Sequence, residues 1–122
     1  MVCSGEAMQR HNLKPLARLV AAATNSIAPD DFAEAPVGAV NRAVARAGLR
    51  IADIDLFEIN EAFSAMPLVT IRELGIDPEK VNVNGGAVAI GHPVGASGAR
   101  LAAALRCCQP VHRRRESRRR GF

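Results

Sequence analysis

The sequence contains no tryptophan and no tyrosine, and aromatic residues make up only 3% of it. Any core must therefore be aliphatic, and the scarcity of stacking platforms weakens a reading as a binder of single-stranded nucleic acids. Cysteine is equally scarce: Cys3, Cys107 and Cys108 are an odd number without metal-ligand spacing. Adjacent cysteines do not readily bridge each other, so neither a structural disulfide nor a metal site is expected. No apolar run approaches the ~20 residues that span a bilayer, so no membrane role is expected. No signal peptide is recognisable, and a reducing cytoplasm is the expected compartment, with a matrix location after loss of a transit peptide as the alternative.

What is present suits one domain. A length of 122 residues with 48% hydrophobic and 23% charged residues is ordinary for a globular chain. The net charge of +4 divides unevenly: residues 109–122 hold six arginines and one glutamate, a net +5, which leaves −1 for residues 1–108. The basic character sits in the tail and says little about what the body binds.

Strand-like and helix-like stretches alternate. Pro15 to Ala21 is an apolar run of strand length, and Asn25 to Pro36 reads as a loop. Val40, Ala43, Val44 and Ala47 recur at helical spacing, which predicts a helix over Val37 to Ala47 stopped by Gly48. Ile54 to Ile59 is rich in bulky apolar residues and predicts a strand. Asn60 stands at an N-cap position with Glu61 in the first turn. The helix they open would bury Ala62, Phe63, Met66, Val69 and Ile71 and close at Gly75, with Pro67 near its first turn. Val81 to Asn84 predicts a brief strand, followed by a glycine-rich loop and a helix from about Ala96 to Cys107. The order is β-α-β-α-β-α, an α/β pattern that implies right-handed crossovers and a mostly parallel sheet. Asn60 and Gly85 each follow a strand, so both loops should emerge at the same carboxyl edge, where functional groups collect in such sheets.

The run from Gly85 to Gly98 has five glycines in fourteen residues and one histidine, His92, pinned before Pro93. Glycines at this density suit close backbone approach, and the proline restricts His92 to an extended backbone. An imidazole so placed can serve as a base or as a donor to a developing oxyanion. The spacing fits neither the dinucleotide fingerprint nor the P-loop. Taken singly, His92 could be a satisfied loop histidine and Asn60 a plain helix cap.

Together the segments resemble the thiolase family: Asn60-Glu61-Ala62-Phe63, then Asn84-Gly85-Gly86-Ala87, then Gly91-His92-Pro93 and Gly95-Ala96-Ser97-Gly98-Ala99-Arg100. Lys14 to Arg18 resembles the first strand of the family's C-terminal domain, and Asp53 to Leu56 and Glu73 to Pro78 match its phrasing, so the likeness runs from about Ala7 to Arg106. Condensing ketoacyl synthases share the fold but normally lack the Asn-Glu-Ala-Phe element. The resemblance implies a thiolase-like C-terminal domain and acyl transfer between acyl-CoA or 3-ketoacyl-CoA and CoA through a cysteine acyl-enzyme. It makes His92 the base that activates that cysteine and helps bind the thioester oxygen. It makes Asn60 the holder of a water that completes an oxyanion hole, and it puts Ala62 and Phe63 beside the CoA pocket. It implies no cofactor, CoA thioesters being substrates, and partners in a thiolase N-terminal half or a homo-oligomer.

The same resemblance marks departures. The nucleophilic cysteine belongs to the family's N-terminal domain, and Cys3 lacks its setting. The second cysteine should follow the last helix in a Cys-x-Gly-Gly-Gly context, whereas Cys107 and Cys108 come earlier and lead into the arginine run. Phe32 to Gly38 stands where the family often has a Met-Gly-x-Gly-Pro-x-Pro loop. The expected organisation is an incomplete thiolase C-terminal domain over 1–108, lacking the family's last two strands, and a basic, disordered tail over 109–122 that resembles a shifted reading frame. Loss of those strands would leave the first strand as an exposed edge. The isolated chain is expected to be inactive. The competing reading is a non-catalytic remnant whose tail binds nucleic acid or acidic surfaces, which the scarcity of aromatics disfavours.

Overall fold

A computed structural model describes residues 2–107. The basic tail, Cys108 and the stretch where the second cysteine was sought lie outside the described residues. The chain opens with a short helix α1 (Gly5–Arg10), capped by Ser4, whose Oγ accepts from the Ala7 N–H at 3.1 Å. Residues 13–28 then run without helix or β-bridge to a 3-10 turn, Pro29–Glu34, which leads into α2 (Ala35–Arg46). A second 3-10 turn, Ile51–Asp53, precedes the segment that reaches Asn60, and α3 (Ala65–Leu74) follows. After a third 3-10 turn, Pro78–Lys80, come α4 (Ala87–Ile90) and α5 (Val94–Cys107).

The helices end for local reasons. Gly48 (φ +68°) and Gly75 (φ +62°) take the left-handed conformation just past α2 and α3. Behind each, the next N–H reaches back to close the helix: Leu49 N to Val44 O and Ile76 N to Ile71 O, both 3.0 Å. Pro67 sits in the first turn of α3, where its missing N–H would have had no partner. The α3 face turned inward carries Pro67 and a fully buried Thr70, whose hydroxyl donates to Met66 O at 2.9 Å. Phe63, expected on that face, is instead 65% exposed and meets Phe32 edge-to-face, centroids 5.8 Å apart. α3 packs on α2 and on the 29–34 turn.

The expected sheet is the main correction. Among the described residues there is no regular strand, and the β-pairing is a single parallel bridge, Phe57 to Val81. Its two bonds are Phe57 N to Lys80 O and Asn82 N to Phe57 O, each 2.9 Å. The direction is parallel, as the alternating pattern implied, but the ladder stops after one step because Asn82 turns left-handed (φ +48°). Its side chain takes over: Oδ1 accepts from Ile59 N at 2.8 Å and Nδ2 donates to Ile59 O at 2.9 Å. A side-chain amide thus stands in for the peptide group that the next rung would have supplied. The run from Pro15 to Ala21 forms no strand at all, because no described segment offers it a ladder. The buried apolar side chains among the described residues are Ile59, Pro67, Ile76 and Ala87.

Candidate functional site

Asn60 does not cap a helix. α3 begins at Ala65 behind Ser64, which leaves Asn60 in the loop that follows the bridged segment. Freed from capping, its amide turns to the other loop, and Nδ2 lies 3.3 Å from His92 Nε2. The two sequence-predicted catalytic candidates, 32 residues apart, therefore meet as the carboxyl-edge reading required. His92 is exposed, Asn60 is half-buried, and Asn60 Oδ1 is buried without a hydrogen-bond partner.

The other ring nitrogen is also engaged. His92 Nδ1 is 2.6 Å from Ser97 Oγ, and that hydroxyl donates to Pro93 O at 3.2 Å. Ser97 is 4% exposed, in the first turn of α5, whose start is marked by Ala96 N and Ser97 N donating to the same Pro93 carbonyl. Ala62 is half-buried just beyond Asn60, and Phe63 contacts Phe32. That contact brings the Asn-Glu-Ala-Phe element against the Phe32–Gly38 segment.

Glu61 fastens the two loops together. Its Oε1 accepts from Asn82 Nδ2 at 2.8 Å and its Oε2 from Val88 N at 2.9 Å. Gly86 makes this possible: a Cβ there would lie 2.2 Å from the Glu61 carboxyl carbon, so only glycine lets the carboxylate in. Glu61 was expected beside a helix dipole, so its use as a bracket was missed, as was Asn82. The one available signal was Asn82 itself, a residue type that tolerates the left-handed turn. Ser97 was missed as well, although its position five residues after His92 was readable once the helix start at Val94 was known. Below the loops, burial raises the Glu58 carboxyl pKa; Arg100 opposes that rise and Glu61 adds to it. Among the described residues no group of three or more His, Cys, Asp or Glu is placed to hold a metal ion, and Cys3 is exposed ahead of α1.

Residues 13–116 match the family model of the thiolase C-terminal domain. The chain belongs to the thiolase family. The cytosolic acetyl-CoA acetyltransferase of Mus musculus is 50% identical over 97 residues, covering 80% of this chain and 24% of the relative. A mitochondrial acetyl-CoA acetyltransferase of Xenopus laevis is 52% identical over 101 residues, 83% of this chain and 24% of the relative. Among solved structures, the Acat5 thiolase of Ascaris suum in complex with coenzyme A superposes with a TM-score of 0.81 at 50% identity, over 84% of this chain and 27% of that one. Human mitochondrial 3-ketoacyl-CoA thiolase gives the same TM-score at 43% identity, over 97% and 28%. This thiolase chain thus has the family's C-terminal fold and spans about a quarter of the length of these relatives. Those relatives include cytosolic and mitochondrial proteins.

Proposed function

We propose that this chain supplies the histidine–asparagine side of an acyl-CoA C-acyltransferase site. The observation that carries the reading is the 3.3 Å approach of Asn60 Nδ2 to His92 Nε2 at an open edge of the molecule. His92 Nε2 would take the proton of an attacking thiol, so the S–H bond breaks as an N–H bond forms. The thiolate then adds to the acyl carbonyl carbon and displaces the leaving group. The imidazolium so formed would return its proton to the leaving group or donate to the oxyanion, and a preorganised donor there is worth about 3 kcal/mol of barrier. Asn60 Oδ1 is buried without a protein partner, and a water held by this amide would complete the oxyanion site. Ala62 and Phe63 would border the CoA moiety. The solved relative in complex with coenzyme A supports that ligand class.

The attacking cysteine would come from the family's N-terminal half, and a reducing compartment, the cytoplasm by default, suits the exposed Cys3 thiol. The test is reconstitution. The chain alone should show no thiolysis of acetoacetyl-CoA, whereas co-expression with a cysteine-bearing thiolase N-terminal half should give turnover. His92→Ala should lower that turnover by roughly 10²-fold or more. Activity of the reconstituted pair that survives His92→Ala would overturn the assignment.

A further inference from the structure

We infer that Ser97 is a positioning residue that sets the tautomer of His92 and leaves the Nε2 lone pair facing Asn60. Two constraints, one on each ring nitrogen, lead there independently. A serine hydroxyl has one proton and can also accept. Pro93 O can only accept, and Ser97 Oγ donates to it at 3.2 Å. With the hydroxyl proton kept on Pro93 O, the proton on the 2.6 Å line between Ser97 Oγ and His92 Nδ1 is the ring's. On the opposite side, Asn60 Nδ2 is only a donor and lies 3.3 Å from Nε2, a contact that is a hydrogen bond when that nitrogen presents its lone pair. Nδ1–H with a bare Nε2 satisfies both contacts, whereas the other tautomer sets an N–H against an N–H at Nε2.

The burial of Ser97, at 4% exposure, keeps water from competing for the hydroxyl. Its orientation is fixed by α5, because the carbonyl it donates to is the one that accepts the helix's opening N–H groups. When Nε2 gains a proton, Nδ1–H stays on Ser97 Oγ, so the ring becomes cationic without rotating and gives up only its contact with Asn60 Nδ2. A buried hydroxyl here does what a carboxylate or carbonyl does behind other catalytic histidines. The catalytic consequence rests on the acyl-transfer reading; the tautomer does not.

The test is long-range nitrogen–proton NMR on the full chain labelled in histidine, with His92 assigned through His92→Gln and the spectra recorded at alkaline pH. The expected spectrum has the proton on Nδ1; Ser97→Ala should relax it to a mixture of tautomers, and Ser97→Thr should restore it. A proton on Nε2 in the native chain would overturn the inference, as would a distribution unmoved by Ser97→Ala. Because the native spectrum decides by itself, the test holds even where Ser97→Ala does not fold. In the reconstituted pair, Ser97→Ala should lower kcat by up to about a hundredfold with KM little changed and Ser97→Thr partly recovering it. An Nδ1–H ring in a pair without turnover would support the Ser97 assignment and remove only the thiolase role.

Discussion

Two regions of this chain lack regular secondary structure, and they are held in opposite ways. The loops around Asn82 carry an interlocked set of bonds: Asn82 to both polar groups of Ile59, Asn82 and Val88 to Glu61, and His92 to both Asn60 and Ser97. Residues 13–28 are tied down by Asn25 Nδ2 to Ala35 O and by two exposed arginines, Arg46 to Ala22 O and Arg42 to Thr24 O. Three of their large side chains stand in solvent, Leu16 at 57%, Leu19 at 80% and Val20 at 61%. Irregular backbone becomes a precise scaffold only where half-buried amides and carboxylates replace the missing ladder, because there each lost bond strands a group away from water. An arginine at the surface, reaching for a carbonyl that water could equally serve, contributes little.

The largest expected effect tests the first half of that contrast. Asn82→Ala removes three side-chain bonds, leaves Ile59 N–H and C=O unsatisfied, and forces a Cβ-bearing residue other than Asn into a left-handed turn. The combined cost should be about 3–5 kcal/mol, enough to unfold a small domain. Asn82→Gly relieves the backbone and not the bonds, so it should recover only about 1–2 kcal/mol of the loss in urea titrations. If Asn82→Gly were as stable as the native chain, the side-chain bonds would be ornament and the contrast would fail.

Glu61→Gln comes next. Its neighbours Asn82 Nδ2–H and Val88 N–H are both donors, and only a carboxylate accepts at both ends. Glutamine turns one N–H against an amide nitrogen, at a cost of about 1–3 kcal/mol. Urea titration measures that loss, and the proximity of Asn60 to His92, followed by their nuclear Overhauser contact, should weaken with it. An unchanged contact would mean that the Asn60–His92 approach is fixed elsewhere.

A smaller effect should come from Glu58. Burial raises its pKa, Arg100 partly opposing, so the ionised form is less favourable folded than unfolded. The sign follows: this contribution is fully favourable below the unfolded pKa and is lost as pH rises through the raised folded value. Glu58→Gln should therefore be neutral to slightly stabilising near neutral pH and should flatten the stability profile across the weakly acidic range. Chemical denaturation at several pH values measures this. A variant that loses stability at neutral pH would show the attraction to Arg100 outweighing burial.

What was legible in the sequence follows the same division. Helices α2, α3 and α5 and their glycine stops could be read, because periodicity and the left-handed preference of Gly48 and Gly75 act locally. The meeting of Asn60 with His92 could also be read, since it follows from both loops leaving one edge of a parallel pairing. Glu61, Asn82 and Ser97 could not, because their work depends on which atoms lie opposite them, and a residue's type does not say so. The helix-cap reading of Asn60 failed for the same reason: asparagine before an apolar helical run is also the residue that can bond a distant ring. The sheet was over-read because strand propensity in Pro15 to Ala21 needs a partner segment to become a ladder.

The smallest expected change in stability tests the second half of the contrast. Leu19 is 80% exposed in the 13–28 segment, so Leu19→Lys should alter stability by no more than about 0.5 kcal/mol in either direction. Its effect should lie in self-association, because Leu16, Leu19 and Val20 together leave an unpaired apolar stretch on the surface. A positive charge in its middle, between Arg18 and the alanines that follow, should oppose the stacking of one copy on another. Light scattering against concentration should therefore fall in Leu19→Lys while the urea midpoint stays in place. A loss well beyond 1 kcal/mol would show the segment to be packed after all. Scattering left unchanged would move the source of association to another exposed apolar group, with Val88, Ile90 and Val94 around the histidine loop the next to substitute.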